Sequence, residues 1–206
     1  MLDLKEEKNI FNLGYKLIGA LDEAGRGPLC GPVVAACVLV RPEFVIGDAL
    51  KTINDSKKLS EKKREALFDL IKENFLEVSV GICDHITIDR INILQASFLA
   101  MKKALGALRQ KPDFLLLDGK FPIPNISTPQ KPVISGDALV FSIAAASIIA
   151  KVTRDRIMRE MHEIYPNYGF DQHKGYGTRI HMERLAEFGP CAIHRRSFGP
   201  VRKLIR

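Results

Sequence analysis

One stretch of the sequence reads Ile18-Gly19-Ala20-Leu21-Asp22-Glu23-Ala24-Gly25-Arg26-Gly27-Pro28. An apolar run leads directly into two carboxylates and then into glycines, so it predicts a buried strand, residues 16–21, that ends in an acidic, glycine-lined loop. Adjacent buried carboxylates either raise their pKa or bind a cation, and a divalent metal ion can neutralise both. The glycines leave backbone N–H groups open to a phosphate or a sugar. A strand end with solvated acids gives the same dipeptide, so other segments must discriminate between the two interpretations.

A second segment repeats this pattern. It reads Phe114-Leu115-Leu116-Leu117-Asp118-Gly119, again an apolar run followed by an acid and a glycine. Apolar runs without alternation are typical of strands covered on both faces in α/β folds, where ligands gather at the carboxyl ends of parallel strands. If the two strands are adjacent and parallel, Asp22 and Asp118 meet.

Two acids compete for a further place in such a site. Asp137 begins an Ala-rich segment, where it can equally serve as a helix N-cap. Asp155 lies 18 residues later, about 27 Å along an unbroken helix, whereas the ions of a two-metal site lie about 4 Å apart. Because Arg154 and Arg156 flank Asp155 and suit a structural ion pair, the sequence favours Asp137.

The remaining pattern alternates strands with helices. An apolar stripe between residues 88 and 108 could pair two chains, but core packing is the favoured interpretation. Small residues in the Ala-rich segment indicate close packing on the sheet. The predicted elements are strands over residues 33–40 and 75–83 and helices over residues 61–74, 88–108, 137–161 and 178–189.

Composition places the chain among cytosolic, globular proteins. Its 206 residues are 46% hydrophobic, enough for one substantial core. No apolar run approaches the ~18 residues of a membrane span, and the charged N-terminus does not resemble a signal peptide. Four cysteines without a CxxC pair indicate reduced thiols. Cys191 and His194 have half the spacing of a zinc site, but no second pair is visible, so zinc is not predicted.

The charge distribution favours a polyanionic ligand. The net charge is +7, partly concentrated at the C-terminal end. Turn formers and aromatic residues surround Lys174 and Tyr176, and a basic loop follows at Arg195 and Arg196. Aromatic rings between cations can stack on sugars or bases while the cations hold phosphates.

Taken together, these segments resemble the type 2 ribonucleases H, the ribonuclease HII family, across nearly the whole chain. Five blocks match in order, and they are Asp22-Glu23-Ala24-Gly25-Arg26-Gly27, Asp55-Ser56-Lys57-Lys58-Leu59, Asp118-Gly119, Gly136-Asp137 with residues 142–152, and Gly175-Tyr176-Gly177-Thr178.

The resemblance implies a ribonuclease H-like fold, a mixed five-stranded sheet flanked by helices with a C-terminal helical segment. It implies a single domain over residues 1–206, with an N-terminal extension to residue 14 and a substrate-binding segment from about residue 165. The implied activity is hydrolysis of RNA in RNA–DNA hybrids and cutting 5′ to single ribonucleotides in duplex DNA, which leaves 3′-hydroxyl and 5′-phosphate ends. Such an enzyme serves primer removal and ribonucleotide excision repair, and we expect a monomer.

The resemblance also implies the roles of individual residues. Asp22, Glu23, Asp118 and Asp137 would hold two Mg²⁺ or Mn²⁺ ions, hard cations that prefer oxygen ligands. One ion would activate the attacking water and the other would stabilise the departing 3′ oxygen. The implied substrate contacts are Gly25, Arg26 and Gly27 with the ribonucleotide and its 2′-hydroxyl, Tyr176 with the sugar, and Ser56, Lys57 and Lys58 with phosphates, with Lys174, Arg195 and Arg196 as weaker candidates.

Two other functions remain as alternatives. A related nuclease, endonuclease V-like or resolvase-like, would use similar acids on another substrate, although Gly25, Arg26, Gly27 and Tyr176 argue against it. A non-catalytic hybrid-binding module would not need clustered acids. A P-loop is poorly supported because the Gly-Lys-Ser/Thr ending is missing.

Overall fold

The five strands of the described chain form one mixed sheet. The computed structural model describes residues 2–56 and 59–205. In the sheet order β3-β2-β1-β4-β5, β1 pairs antiparallel with β2 and parallel with β4, which confirms the predicted mixed five-stranded sheet. The strands are β1 (Ile18–Ala24), β2 (Val33–Val40), β3 (Glu77–Cys83), β4 (Phe114–Asp118) and β5 (Gln130–Val133).

Helices cover both faces of this sheet. The helices are α1 (Lys5–Asn12), α2 (Glu61–Asn74), α3 (His85–Ile91), α4 (Ile93–Ala107), α5 (Gly136–Leu139), α6 (Phe141–Ile164), α7 (Phe170–His173), α8 (Arg179–Phe188) and α9 (Gly199–Arg202). Short 3₁₀ turns occur at Asp48–Leu50 and Pro166–Tyr168. Among the described residues, none of the helices combines the length and the apolarity that a membrane span requires.

Two hydrophobic clusters, one on each face, hold the helices to the sheet. On β1, Ile18 and Ala20 belong to the cluster that includes α6, whereas Leu21 belongs to the cluster that includes α4. The Ala-rich part of α6 is fully buried, as the small residues of this segment predict. Residues of the apolar stripe, including Met101 and Leu108, pack in the α4 cluster, so core packing is the correct interpretation of that stripe.

The first strand is longer than predicted. It extends through Ala24, so Asp22 and Glu23 lie inside the strand rather than in the loop after it. They continue the pairing with β2, where Asp22 is opposite Ala36 and Glu23 is opposite Ala35. Successive residues of a strand point to opposite faces, so the two acids leave the sheet in different directions.

The prediction of one helix over residues 88–108 was wrong. Asn92 has a φ of 67° and separates α3 from α4. Its side-chain oxygen accepts hydrogen bonds from the N–H groups of Leu94 and Gln95, at 3.0 and 3.1 Å. Asn tolerates this conformation and caps helices well. The apolar stripe runs through both helices without a change of period, so the period alone does not reveal the break between them.

The alternative role of Asp137 as a helix N-cap was wrong. Asp137 lies in the first turn of the short helix α5, whose N-cap is Ser135, and the long helix α6 starts only at Phe141. Glu7 of α1 binds the start of α6 instead, because its carboxylate accepts the N–H of Ser142 at 2.9 Å. The N–H group at the start of α6, which in most helices is bound by a side chain close in sequence, is therefore bound by an acid from the N-terminal segment.

We predict that Gly81→Ala destabilises the fold by about 1–3 kcal/mol or more. A Cβ at position 81 would lie 2.0 Å from the carbonyl oxygen of Ala100 and 2.5 Å from the nitrogen of Ala104, and these backbone atoms of α4 cannot rotate away. Urea unfolding measures the effect. Gly106→Ala, where a Cβ meets nothing within 4 Å, is the matched control and should be neutral or stabilising. Equal effects of the two changes would contradict close packing of α4 on β3.

Candidate active site

Two acids meet at the carboxyl ends of adjacent parallel strands. Leu21 of β1 pairs with Leu117 of β4, so the next residues, Asp22 and Asp118, lie side by side as the repeated pattern predicts. They open into a pocket of about 250 Å³. The described residues that line it are Asp22, Glu23, Ala24, Gly25, Arg26, Gly27, Ser56, Asp118, Ser147, Lys151 and Tyr176.

Asp22 is buried in an electrostatically unfavourable place. Its Oδ1 accepts the N–H of Glu23 at 2.7 Å, and Ser147 of α6 hydrogen-bonds to the same carboxylate. Burial, followed by repulsion from Glu23 and Asp118, nevertheless raises the pKa of Asp22 well above its usual value. A carboxylate in this position is stabilised by a cation, which is the environment that a metal ligand requires.

Glu23 reaches the pocket from the other face of the strand. Its carboxylate accepts a hydrogen bond from the Arg26 guanidinium at 3.0 Å. It also lines a small cavity together with Leu94 and Phe98 of α4. Arg26 itself has a half-exposed side chain, so the cation beside Glu23 remains accessible to a substrate.

Asp118 connects the pocket to α5. Its Oδ1 accepts the N–H of Gly136 at 2.7 Å, and Asp137 is the next residue along the chain. Asp137 is buried. The structure thus brings Asp22, Glu23 and Asp118 together around one pocket and places Asp137 next to the amide that contacts Asp118, while the role of Asp137 as a fourth ligand stays a prediction.

The glycine-lined loop forms another wall of the same pocket. Gly25 has a φ of +101°, and a Cβ there would lie 2.2 Å from Nε of Arg154, so only glycine fits. A Cβ at Gly27 would lie 3.6 Å from the Tyr176 ring. Tyr176 is 42% exposed, as its position between two glycines suggested. The loop and the aromatic ring therefore face the same space as the carboxylates.

Ser56 lies in the pocket. The Ser56 hydroxyl is 2.8 Å from the hydroxyl of Ser147, which in turn contacts Asp22. Lys57 and Lys58 lie outside the described residues, so their contacts with phosphates stay predictions.

Sequence reasoning missed two residues of α6 that line the pocket, Ser147 and Lys151. The Lys151 ammonium lies 5.8 Å from the centre of the Tyr176 ring and donates to Asp155 at 2.7 Å. Asp155 is therefore part of an ion pair, as predicted, but its partners are Lys151 and Arg64 rather than the flanking arginines. Helical spacing of four residues between positions 147, 151 and 155 was the available signal.

Two weaker candidates for phosphate contacts were wrong. Arg195 is completely buried, and its guanidinium binds backbone carbonyls behind the glycine loop. Lys174 is also buried and donates to the carbonyl oxygen of Asp171. Basic residue types suggested a surface role, but the Arg195 charge faces backbone oxygens, and the Lys174 ammonium faces the Asp171 carbonyl and the Glu61 carboxylate, the latter at 3.7 Å. Arg196 is exposed, and its backbone N–H donates to Asp89 at 2.8 Å.

A buried pair of histidines is hydrogen-bonded to the backbone of Tyr176. The backbone N–H of Cys191 donates to Nδ1 of His194, at 3.0 Å, so the proton of that ring is on Nε2. This Nε2 is 3.1 Å from Nε2 of His181, whose Nδ1 is 2.9 Å from the carbonyl oxygen of Tyr176. One set of neutral tautomers therefore satisfies the whole chain of hydrogen bonds.

The same pair lies close to a cysteine, which the spacing of Cys191 and His194 did not predict. The Cys30 thiol and ring nitrogens of His181 and His194 lie within 4.8 Å of one another. Burial raises the pKa of the Cys30 thiol to about 12. Because His194 carries its proton on Nε2 in this arrangement, the group reads as a hydrogen-bonded support rather than a metal centre.

Comparisons with known proteins agree on one family. A family model for ribonuclease HII matches residues 18–201. The chain is 50% identical over 200 residues to a ribonuclease HII from Caldanaerobacter subterraneus subsp. tengcongensis, which covers 97% of this chain and 80% of the relative.

Solved structures give the same result. Ribonuclease H2 from Pyrococcus horikoshii OT3 aligns with a TM-score of 0.74 at 28% identity, over 91% of this chain and 96% of the other. Bst-RNase HIII, solved in complex with Mn²⁺, shares the fold with a TM-score of 0.74 at 20% identity, over 95% and 71% of the two chains. The ribonuclease H-like fold is thereby confirmed.

We predict that Asp22→Asn stabilises the metal-free protein at pH 7 while it impairs activity. Because the folded-state pKa of Asp22 is raised, its charge opposes folding above the usual pKa, and the neutral amide removes that cost. We expect a gain of about 2–4 °C in melting temperature, equivalent to about 1 kcal/mol. Thermal denaturation with a chelator tests this, with Asp69→Asn on the exposed face of α2 as control. A lower melting temperature would contradict repulsion among the acids.

We predict that His181 and His194 stay neutral in the folded protein at pH 5. Burial lowers the pKa of each ring from 6.5 to about 4. The unfolded chain takes up protons on these rings below about pH 6.5, so the pair contributes stability above that pH that is lost as pH falls toward 4. NMR of the imidazole resonances measures the protonation directly. A midpoint near 6.5 for both rings would contradict the hydrogen-bond assignment.

Proposed function

Because the chain belongs to the ribonuclease HII family, we propose that it cuts duplex DNA on the 5′ side of a single embedded ribonucleotide. Members of this family are metal-dependent ribonucleases H, so the chain is a hydrolase of the RNA strand of RNA–DNA hybrids. The observation that carries the finer proposal is one pocket in which three carboxylates face a glycine loop and an exposed Tyr176 ring.

The donor set of the pocket fits two divalent cations. Asp22, Glu23 and Asp118 offer hard oxygen ligands, and burial together with the neighbouring carboxylates raises the pKa of Asp22, so bound cations would stabilise its charged form. We propose that these residues, with Asp137, hold two Mg²⁺ or Mn²⁺ ions. When bound, the ions supply an activated water and neutralise the charge that develops on the departing 3′ oxygen.

The residues around the ligands hold them in place before substrate binds. Ser147 and the Glu23 amide orient Asp22, and the Gly136 amide orients Asp118. Such partners orient the carboxylates for coordination of an ion. Hydrolysis through this arrangement requires no protein nucleophile and leaves 3′-hydroxyl and 5′-phosphate ends.

The wall of the pocket that the glycine loop and Tyr176 form suits a ribose. Backbone amides at Arg26 and Gly27 can donate to the 2′-hydroxyl, the group that distinguishes RNA from DNA. Tyr176, against Gly27, offers a ring face for the sugar at the RNA–DNA junction. We assign Ser56 to the neighbouring phosphate, together with Lys57 and Lys58.

The C-terminal segment completes the substrate surface. Tyr176 belongs to it, and the segment pairs with the glycine loop through the backbone bond from Leu29 N–H to the carbonyl of Gly175, at 2.8 Å. We therefore propose one ribonuclease H-like domain, active as a monomer, that acts in ribonucleotide excision repair and primer removal.

The test is cleavage of a labelled DNA duplex that contains one ribonucleotide, with Mg²⁺ or Mn²⁺. We predict a single cut 5′ to the ribonucleotide and a fall in rate of about 100-fold or more for Asp118→Asn, since a lost metal ligand costs several kcal/mol of transition-state stabilisation. Asp69→Asn on the exposed face of α2 is the matched control and should cut like wild type.

Two results would overturn the proposal. Equal cutting of an all-DNA duplex would indicate a related nuclease with another substrate. Full activity of a folded Asp118→Asn protein would show that the chemistry does not depend on these carboxylates.

A further inference from the structure

The most unusual buried group outside the acidic site is the guanidinium of Arg195. It has no exposed surface, and all of its five N–H donors are used. The acceptors are the carbonyl oxygens of Gly25 at 2.6 Å, Arg26 at 3.1 Å, Pro28 at 2.8 Å, Gly31 at 3.0 Å and Pro32 at 3.1 Å. The entire glycine loop is thus wrapped around one cation.

The direction of these carbonyls determines the direction of the amides. In a trans peptide the C=O and the following N–H point in opposite directions. Because the carbonyls of Gly25 and Arg26 face Arg195, the N–H groups of Arg26 and Gly27 face away from it. In the described part of the chain, no other residue accepts a hydrogen bond from either amide. Both remain available on the side of the loop that lines the pocket.

The cation is itself held rigidly. Its backbone N–H donates to the carbonyl of Leu29 at 2.8 Å, and the Phe198 ring lies 5.0 Å from the guanidinium carbon. Burial and the neighbouring Arg154 lower the pKa of Arg195 to about 9, so it stays charged at neutral pH. Arg154 shares the Pro32 carbonyl with it and also binds the carbonyls of Cys30 and Lys174.

We propose that Arg195 is a positioning residue for ribose recognition, which turns the amides of Arg26 and Gly27 toward the substrate by binding five carbonyl oxygens of the loop. It does not touch the substrate. A lysine has three donors on a shorter reach, so it keeps the charge but cannot bind all five carbonyls. Because Arg154 also binds the Pro32 carbonyl, at least one of the other four loses its partner. The inference rests on the proposed recognition of a single ribonucleotide.

The experiment compares the affinities of two duplexes that differ by one 2′-hydroxyl. Fluorescence anisotropy gives the Kd of each, with Ca²⁺ in place of Mg²⁺ to prevent turnover, and their ratio is the ribose discrimination. We expect Arg195→Lys to reduce this ratio about fivefold to tenfold, the loss of one or two hydrogen bonds, with little change for the all-DNA duplex. Arg109→Lys, a highly exposed side chain, is the matched control and should keep the wild-type ratio.

The outcomes separate this inference from the function it rests on. If wild type does not discriminate between the duplexes, the proposed ribose recognition fails and the inference falls with it. If wild type discriminates and folded Arg195→Lys keeps the same ratio, or weakens both duplexes equally, Arg195 is only structural. Should Arg195→Lys not fold, Phe198→Leu loosens the same guanidinium: at least a twofold fall in the ratio supports the inference, and an unchanged ratio overturns it.

Discussion

The structure depends on the parallel register of two strands that each end in an acid. Pairing of Leu21 with Leu117 brings Asp22 and Asp118 together at the carboxyl ends of the two strands, where burial and the repulsion from Glu23 and Asp118 raise the pKa of Asp22. The surrounding fold maintains this arrangement at a cost to stability. Small residues of α6 let that helix lie close enough for Ser147 to reach Asp22, and α5 supplies an amide to Asp118. Functional sites commonly keep carboxylates whose mutual repulsion is unfavourable, because a bound cation makes the electrostatic free energy of the site favourable.

A second set of interactions places positive charge, rather than negative charge, inside the protein. Arg154 and Arg195 are buried cations whose hydrogen bonds go to backbone carbonyls of the loops that face the acids. The carbonyls of Gly25 and Arg26, which Arg195 binds, leave the N–H groups of Arg26 and Gly27 on the other side of the loop, so this cation orients two donors. We therefore propose that the acidic wall of the pocket binds metal ions and that the wall with these two donors binds a sugar. One wall comes from the sheet and the other from the loop that the C-terminal segment packs against.

Much of this arrangement could be predicted from sequence, and the failures have physical reasons. The repeated apolar run ending in an acid predicts the adjacency of Asp22 and Asp118 because covered parallel strands share an edge. The break at Asn92 was hidden because both helices keep one apolar stripe. Arg195 was predicted to contact phosphate because an arginine in the sequence does not reveal what its guanidinium will bind. Its acceptors are backbone carbonyls of a loop that is distant in sequence. Likewise, the pairing of His181 with His194 and the capping of α6 by Glu7 join segments whose proximity only the fold creates.

We propose that the carboxylates around Asp22 form a two-metal site. The most direct measurement is anomalous diffraction from crystals of the protein grown with Mn²⁺ and a duplex containing one ribonucleotide. We expect two manganese peaks in the pocket, with Asp22 and Asp118 among their ligands and Asp137 coordinating one of them. Manganese bound only elsewhere, or a pocket in which a protein cation replaces the ions between Asp22 and Asp118, would contradict it.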